Sequence, residues 1–433
     1  MLSFAYQNHP ASFYANSRSE ALYCASFRGH EHADVCVIGG GFTGISTALN
    51  LARAGKKVIL LEGAHIGFGA SGRNGGQVIS GYACELDEFE RQLGTSAAQT
   101  FWDWSLEAVD IVDAHVRDYA IDCDWTRGYA TVSVKPKQQQ ALQAYVTKMQ
   151  QQYGYDGHQV WDKHQLQQHL NSGRYYGGIY DQTSGHLHPL NYCLGLARAA
   201  ISHGACLYEN SPVTDVYAQG DGAIVRTPHG QVNATDVVFA SNAFVSQLKS
   251  PQAQALSKKI LPVGTYMIAT EPLGDRAARL IDNHMAVCDS QFVLDYYRLS
   301  ADTRLLFGGK VSYSGRPPRQ LAQSMRADML RVFPQLRNVA IDYAWGGHVD
   351  VTMNRAPHWG RLAPNVYFAQ GFSGHGVALT GLAGKVIAEA ILGDDSRLRH
   401  FEAIKHRDFP GGRWLRMPTQ VAAMGYYRLR DWL

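Results

Sequence analysis

The chain has 433 residues, and its formal net charge is +3 with 18% charged side chains. This length exceeds the size at which a single hydrophobic core keeps growing, so two domains are expected. A charge this small gives no reason to expect binding to nucleic acid or to an anionic membrane surface.

Targeting signals and cysteine usage favour a cytoplasmic protein. Residues 1–15 lack the basic segment and apolar core of a secretory signal, and no stretch approaches the roughly 18 apolar residues of a membrane span. The seven cysteines form no CxxC pair and their number is odd. This pattern predicts reduced thiols in a cytoplasm, whereas the oligomeric state is not predicted.

The first predicted elements form a strand–helix–strand unit. Residues 34–38 are a short apolar run before three glycines, which is typical of a buried parallel strand. A helix follows, because apolar residues recur at i, i+3, i+4 and i+7: Ile45, Ala48, Leu49 and Ala52. Gly55 ends this helix, and residues 57–61 form the second strand.

Later elements alternate between parallel and antiparallel patterns. In chain order they are helices over 96–118 and 137–152 around a strand at 129–134, a buried strand at 237–240, antiparallel strands at 266–270, 292–298 and 304–309, a strand at 366–369 and a final helix ended by Gly393. The order predicts an α/β fold with a discontinuous Rossmann-like nucleotide-binding domain and an inserted antiparallel-sheet α+β substrate domain. The predicted nucleotide-binding segments are 30–88, 160–248 and 342–398, the substrate domain is 89–159 and 249–341, the N-terminal arm is 1–29, and the C-terminal tail is 399–433.

The first glycine cluster, residues 39–44, matches GxGxxG. Gly39 permits a tight strand-to-helix turn, Gly41 lets the backbone approach a diphosphate, and Gly44 lets helix and strand pack closely. The first helical residues, Phe42 and Thr43, then direct free N–H groups at the phosphates. Glu62, at the end of the second strand, is placed to accept bonds from ribose hydroxyls. A glycine-rich turn without a ligand is the weaker interpretation.

Two further glycine-rich stretches favour FAD over a nicotinamide cofactor. Small residues at 67–77 let the backbone run along the edge of a flavin ring, and the turn at 371–376 precedes a helix whose N-terminus favours negative charge on the ring. The predicted FAD-binding residues in these stretches are Gly69, Ala70, Ser71, Arg73, Asn74, Gly75, Gly76, Gln77, Gly371, Ser373, Gly374, His375 and Gly376. Val213, Ala240 and Asn242 complete the predicted set.

These motifs resemble the D-amino-acid-oxidase-like FAD-dependent oxidoreductases. Within that family the later motifs are most similar to the gamma-glutamylputrescine oxidases: residues 185–191, 294–299, 371–376, 409–413 and 426–430. The resemblance implies FAD-dependent oxidation of the terminal amine of gamma-glutamylputrescine or a related gamma-glutamylated amine, in putrescine catabolism. The implied partners are this small amine and oxygen, and the implied products are an aldehyde, ammonia and hydrogen peroxide.

Some relatives attach the flavin covalently through a His or Cys. Residues 71–77 contain neither, and no Cys lies between Val349 and Leu433. We therefore predict a non-covalent FAD. The cofactor carries the hard chemical step, so no general base is assigned.

Six side chains are candidates for the catalytic site. Tyr296 and Arg298 share one face of a predicted strand and Tyr297 takes the other. Arg298 is either a fork for a substrate carboxylate or a surface residue between core tyrosines. The other candidates are His375 on the flavin or amine, His348 facing the pocket or capping a strand, and Lys310 promoting oxygen attack. His186 and His188 have HxH spacing but no accompanying ligands, which favours structural histidines over a metal site.

Two alternative functions stay open. One is a D- or secondary-amino-acid dehydrogenase of the same fold that passes electrons to an acceptor other than oxygen. The other is a flavin-binding redox sensor without turnover, which a reactive Cys beside the flavin would favour. No GxSxG or GxxxxGK[ST] motif occurs in the sequence, so a nucleophile elbow and a phosphate loop are excluded.

Overall fold

The computed structural model describes residues 6–219, 221–291, 293–312 and 318–410. The strands are β1 (Gly29–Ile38), β2 (Val58–Leu61), β3 (Gln77–Val78), β4 (Thr126–Val132), β5 (His158–Asp162), β6 (Gly177–His186), β7 (Cys206–Tyr208), β8 (Asp215–Gln219), β9 (Gly222–Thr227), β10 (Gly230–Phe239), β11 (Leu261–Thr270), β12 (Ala286–Asp289), β13 (Tyr296–Leu299), β14 (Leu305–Ser312), β15 (Ile341–Val351), β16 (His358–Ala363) and β17 (Val366–Gln370). The α-helices are α1 (Phe13–Asn16), α2 (Phe42–Arg53), α3 (Leu86–Leu93), α4 (Thr95–Asp118), α5 (Pro136–Tyr153), α6 (Lys163–His169), α7 (Pro189–Ser202), α8 (Pro251–Lys259), α9 (Leu321–Val332), α10 (Gly376–Ile391) and α11 (Ser396–Glu402). Short 3₁₀ helices span Ala70–Gly72, Asn242–Gln247, Gly274–Arg276 and Pro334–Leu336.

The first sheet carries the predicted strand–helix–strand unit. Its main path runs β16-β17-β10-β1-β2-β7, and β8 and β9 extend it from β10. Strand β1 pairs in parallel with both β10 and β2, and β10 pairs in parallel with β17. The register aligns Ile38 with Leu61 and with Phe239, so three strands end at one edge. The Rossmann-like half of the predicted fold class is confirmed.

Helices α2 and α10 lie side by side on one face of this sheet. The four residues predicted to form the apolar face of α2 are all buried. The two helices approach so closely at Gly384 that a Cβ there would lie 2.6 Å from the backbone nitrogen of Thr47. This close packing brings the N-termini of both helices to the edge where the parallel strands end.

The second sheet is mostly antiparallel. It runs β15-β11-β14-β13-β12-β4-β6-β3, with β5 paired to β6, and its one parallel pair among the described strands is β12 with β4. A separate apolar core joins this sheet to α9, where Tyr297 and Phe307 are buried together with Met325 and Phe333. The antiparallel half of the predicted fold class is confirmed as well.

The predicted elements and domain segments can be compared with the two sheets. The helices predicted at 96–118 and 137–152 are α4 and α5. The predicted segments 160–248 and 342–398 assign β6 and β15 to the nucleotide-binding domain, but their hydrogen bonds place both strands in the second sheet. Residues 1–29 include the helix α1, whose Tyr14 is completely buried. Phe292, residues 411–413 and the motif at 426–430 lie outside the described residues.

Within the described ranges, no single helix is long and apolar enough to cross a membrane. Helices α10 and α11 together have the length and composition of a membrane span, but the chain bends by 117° between them.

Candidate functional site

A cavity lies where the parallel strands of the first sheet end. The space between its lining residues is about 1120 Å³, part of which is open to solvent. Ile38, Leu61 and Ala369 from the first sheet line it, and Val349 and Asp350 from β15 line it from the second sheet. The cavity therefore sits between the two sheets.

Most of the predicted FAD-binding residues meet at this cavity. Those that line it are Gly39, Gly41, Phe42, Thr43, Glu62, Gly69, Ala70, Ser71, Asn74, Val213, Ala240, Asn242, Gly374 and Gly376. The remaining predicted residues, which do not line it, are Gly44, Arg73, Gly75, Gly76, Gln77, Gly371, Ser373 and His375. Lining residues that the sequence did not single out include Phe68, Ser241, Phe244, Leu248, Asp350, Phe372 and Thr380.

The geometry of the glycine turn explains its spacing. Gly39 has φ +113°, a conformation that residues with a Cβ rarely adopt, and an added Cβ would lie 2.6 Å from the Ala240 carbonyl oxygen. A Cβ on Gly44 would lie 1.9 Å from the Gly39 carbonyl oxygen. Gly39 therefore makes the turn, and Gly44 lets α2 approach the end of β1, as the motif predicts.

The N-terminus of α2 is directed at the cavity. The backbone N–H of Phe42 donates to the Ser71 hydroxyl at 2.9 Å. The first N–H groups of a helix have no acceptor within the helix, and the helix dipole makes this end positive. The turn therefore offers an anion such as a diphosphate both donors and a favourable field.

Glu62 is held in one orientation by the backbone. Its two carboxylate oxygens accept the N–H groups of Gly40 at 2.7 Å and Ala64 at 2.9 Å. Burial, and then the neighbouring Glu209, raise the pKa of Glu62, while the backbone donors act in the opposite direction. Each carboxylate oxygen keeps a further lone pair that a ribose hydroxyl can satisfy.

Two buried polar atoms beside the cavity test whether a cofactor fits. The Ser241 hydroxyl and the Asn242 side-chain oxygen are buried and have no hydrogen-bond partner among the residues that the structure describes, and both residues line the cavity. Asn242 also has a left-handed backbone with φ +48°. Unsatisfied buried polar groups are costly, so these atoms fit a site whose ligand supplies their partners.

Asp350 is the most informative residue that sequence reasoning did not place in the site. Its side chain is 1% exposed and accepts the N–H of Gly371, while its carbonyl accepts the N–H of Ser373 at 2.9 Å. Burial raises the pKa of Asp350 to about 7. The carboxyl group thus fixes the turn that leads into α10.

The stretch at 67–77 is a braced loop. Arg73 donates to the carbonyl of Phe68 at 2.6 Å and to that of Gly346 at 3.3 Å, and its guanidinium lies 4.2 Å from the centre of the Phe68 ring. Burial lowers the pKa of Arg73 to about 10. The indole N–H of Trp345 donates to the Arg73 carbonyl at 3.0 Å. Strand β15 therefore holds this loop in place.

The predicted alternation along β13 is confirmed. Tyr296 packs on the loop, where a Cβ on Gly75 would lie 2.7 Å from its ring. Tyr297 points to the other face, where its hydroxyl bonds to that of Tyr175 at 3.1 Å within the second core. Only Tyr296 of the pair lies on the cavity side of the second sheet.

Arg298 does not have the surroundings of a substrate anchor. It is 3% exposed, and its guanidinium donates to the carbonyls of Gly75 and Leu187 at 2.8 Å each and to that of Leu299 at 3.2 Å. A fourth contact, at 3.3 Å, is to the hydroxyl of Tyr14. These bonds occupy most of its donors, so the predicted fork for a substrate carboxylate is not supported. The alternative prediction, a surface residue, is wrong because the side chain is buried.

Lys310 and His348 also lie away from the cavity. The Lys310 ammonium forms an ion pair at 2.6 Å with Asp328 on α9, so a role in oxygen attack is not supported. Strand alternation places His348 on the opposite face of β15 from Gly347, which lies so close to the loop that an added Cβ would be 3.3 Å from the Cβ of Arg73. His348 therefore takes the other face of β15 and does not line the cavity, and its predicted role, facing the pocket or capping a strand, stays a prediction.

The remaining predicted histidines have structural contacts. The Nε2 atom of His375 donates to the Ser80 carbonyl at 3.0 Å, and burial lowers its pKa. His188 accepts the N–H of Asn191 at 3.1 Å and so caps α7, while His186 contacts the His284 carbonyl at 2.7 Å. Across the described parts of the chain, no cluster of His, Cys, Asp and Glu could hold a metal ion.

Comparison with known proteins agrees with this geometry. The family model for FAD dependent oxidoreductases matches residues 34–390. The chain is 48% identical to the "Probable oxidoreductase OrdL" of Haemophilus influenzae, with 100% of this chain and 99% of the relative covered. It is 41% identical to the gamma-glutamylputrescine oxidoreductase of Escherichia coli, with 98% of each chain covered.

Solved structures share the fold at lower identity. The glycine oxidase of Bacillus cereus superposes with a TM-score of 0.70 at 20% identity, over 87% of this chain and 99% of that one. The family model covers most of the chain, and the cavity has the donors and unsatisfied atoms that an adenine dinucleotide needs. The chain belongs to the FAD-dependent oxidoreductase family, with FAD as its cofactor.

Proposed function

We propose that this protein oxidises the terminal amine of gamma-glutamylputrescine or a closely related gamma-glutamylated amine. The observation that carries the proposal is the 41% identity, over 98% of both chains, to a gamma-glutamylputrescine oxidoreductase. The net reaction consumes the amine, oxygen and water and yields the aldehyde, ammonia and hydrogen peroxide. Its place would be the breakdown of putrescine in the cytoplasm.

The residues around the cavity support a specific orientation of FAD. We place the ribose hydroxyls on Glu62, the diphosphate at the N-terminus of α2, and the ring between the braced loop and the turn at 371–376. Ser241 and Asn242 supply polar atoms that lack partners in the described part of the chain. Residues 71–77 offer no His or Cys for a covalent bond, so we propose that the cofactor is held non-covalently.

FAD would supply the hydride acceptor for the carbon that bears the amine, so the protein's task is to position a neutral amine. We place that amine beside Tyr296, next to a small apolar cluster formed by Tyr129, Ala286 and Cys288 with Ile79 and Leu294 at its edge. Apolar surroundings lower the pKa of an amine because they destabilise the ammonium form. This environment favours the form that can be oxidised without a dedicated base.

The proposal is tested by anaerobic mixing of the purified protein with three amines. Gamma-glutamylputrescine should bleach the flavin absorbance at least ten-fold faster than putrescine or D-alanine at equal concentration. Faster bleaching by D-alanine would overturn the substrate assignment, and no bleaching by any amine would favour the redox-sensor alternative. Release of FAD into the supernatant after acid precipitation tests the non-covalent cofactor.

The electron acceptor needs a separate test. Air-saturated turnover should produce one hydrogen peroxide for each aldehyde. Aldehyde formation that requires an added quinone or dye, without peroxide, would favour the dehydrogenase alternative.

A further inference from the structure

Arg298 is a buried cation without a carboxylate partner. All four of its hydrogen bonds go to neutral acceptors, three carbonyls and the Tyr14 hydroxyl, and no ion pair to it occurs among the residues that the structure describes. The exposed carboxylate of Asp124 interacts with this charge electrostatically. Taking a charged group out of water without a counterion is expensive.

The guanidinium lies directly against the braced loop. Its Nε donates to the Gly75 carbonyl at 2.8 Å, and a Cβ on Gly76 would lie 2.9 Å from its terminal nitrogen. Asn74, the preceding residue, lines the cavity. The charge is therefore fixed one or two residues away from the wall of the FAD site.

The same side chain joins three distant segments. It reaches Gly75 in the loop, Leu187 between β6 and α7, and Tyr14 in α1. The Tyr14 ring is held in turn by edge contacts to Trp345 at 5.3 Å and His188 at 4.9 Å. The N-terminal segment is thus part of the frame that orients the guanidinium.

The two neighbouring histidines carry no charge of their own. Burial, followed by the Arg298 charge itself, lowers the pKa of both His186 and His188 to about 3. Both imidazoles are therefore neutral near pH 7. Arg298 is thus a fixed cation behind the loop, in addition to Arg73 within the loop.

We propose that Arg298 is a positioning residue that holds the 74–76 backbone against the cofactor and stabilises the reduced, more negative form of FAD by a positive charge that no ion pair among the described residues neutralises. The inference rests on FAD binding and not on the identity of the amine. It also replaces the role of Arg298 as a substrate anchor, because the donors that an anchor would use are occupied.

Reductive titration of the holoenzyme without substrate tests the charge. Arg298→Met removes the charge at similar length, and it should shift the equilibrium between oxidised and reduced FAD at least ten-fold towards the oxidised form, which is about 30 mV for two electrons. Arg298→Lys keeps the charge but not the fork, so it should stay within about three-fold of wild type while FAD binding weakens. Arg304→Met is the matched control, because Arg304 directly precedes β14 of the same sheet and is paired with Asp302 and Asp342.

Each outcome decides the proposal. A reduction equilibrium within two-fold of wild type in Arg298→Met, with FAD still bound, would overturn it. If that variant binds no FAD, Arg298→Lys decides: an unchanged equilibrium supports the role of the charge, and a ten-fold loss refutes it. A rise in KM confined to gamma-glutamylputrescine, with no change for simple amines, would restore the substrate-anchor role.

Discussion

The carboxyl group of Asp350 makes a strong prediction about stability and pH. It is 1% exposed in the wall of the FAD cavity, and burial raises its pKa from 3.8 to about 7. The folded protein therefore binds this proton more tightly than the unfolded chain does. The resulting stabilisation is complete below about pH 4 and is lost as pH rises through 7.

The magnitude follows from the size of the shift. One pKa unit corresponds to about 1.36 kcal/mol, so the shift amounts to about 4 kcal/mol in total, of which about 3 kcal/mol lies between pH 5 and pH 8. Asp350→Asn keeps an oxygen that can accept the N–H of Gly371 and removes the ionisation. The difference in free energy of unfolding, variant minus wild type, should rise by that amount from pH 5 to pH 8.

Urea unfolding of the apoprotein, followed by circular dichroism at both pH values, measures this difference. Other buried carboxyl groups, such as Asp295 with its pKa raised to about 7, are common to both proteins and cancel. Asp122→Asn, at an exposed carboxyl, is the control and should show no such change. Parallel pH dependences for wild type and Asp350→Asn would refute the reasoning.

Three further predictions concern the cofactor. In Gly44→Ala, α2 must move back by more than 1.1 Å to increase the distance between the new Cβ and the Gly39 oxygen from 1.9 Å to 3.0 Å, which costs about 1–3 kcal/mol. The melting temperature and the FAD affinity of this variant should fall. The control Gly173→Ala, with open space around the new Cβ, should change neither. Glu62→Gln sets an amide NH₂ against the N–H of Gly40 or Ala64, and loss of a charge-assisted bond of about 1.5–3 kcal/mol should weaken FAD binding about 10–100-fold by fluorescence titration. Ser71→Ala removes the acceptor of the Phe42 N–H and should weaken FAD binding about ten-fold or less, with unchanged affinity counting against a role for this turn.

Local patterns were sufficient to predict the nucleotide-binding half of the site. The unit around Gly39, α2 and Glu62 is contiguous in sequence, and its spacing follows from steric limits that any such turn must meet. The alternation of Tyr296, Tyr297 and Arg298 was likewise predictable, because strand geometry alone sets it. Features of this kind depend only on residues close together in the chain.

The parts that were missed depend on contacts between distant segments. The surroundings of Asp350 arise only because β15 ends beside the turn at 371–376. The Ser241 hydroxyl is buried without a partner among the described residues only because the two sheets enclose the FAD cavity. The N-terminal residues showed no periodicity, so they were interpreted as an irregular arm. Tyr14 is buried because Trp345, His188 and Arg298 surround it.

Arg298 shows how a correct local prediction can lead to a wrong role. Alternation placed it on the cavity side of β13, where an arginine fork would suit a carboxylate ligand. In the structure the guanidinium of Arg298 instead donates to the backbone carbonyls of Gly75 and Leu187 on that face. Carbonyls satisfy the N–H groups but leave the positive charge without an ion-pair partner among the described residues, and the group in this family that gains negative charge during turnover is the flavin itself. An arginine held in this way is therefore placed to act on the cofactor through its field, whichever amine enters the site.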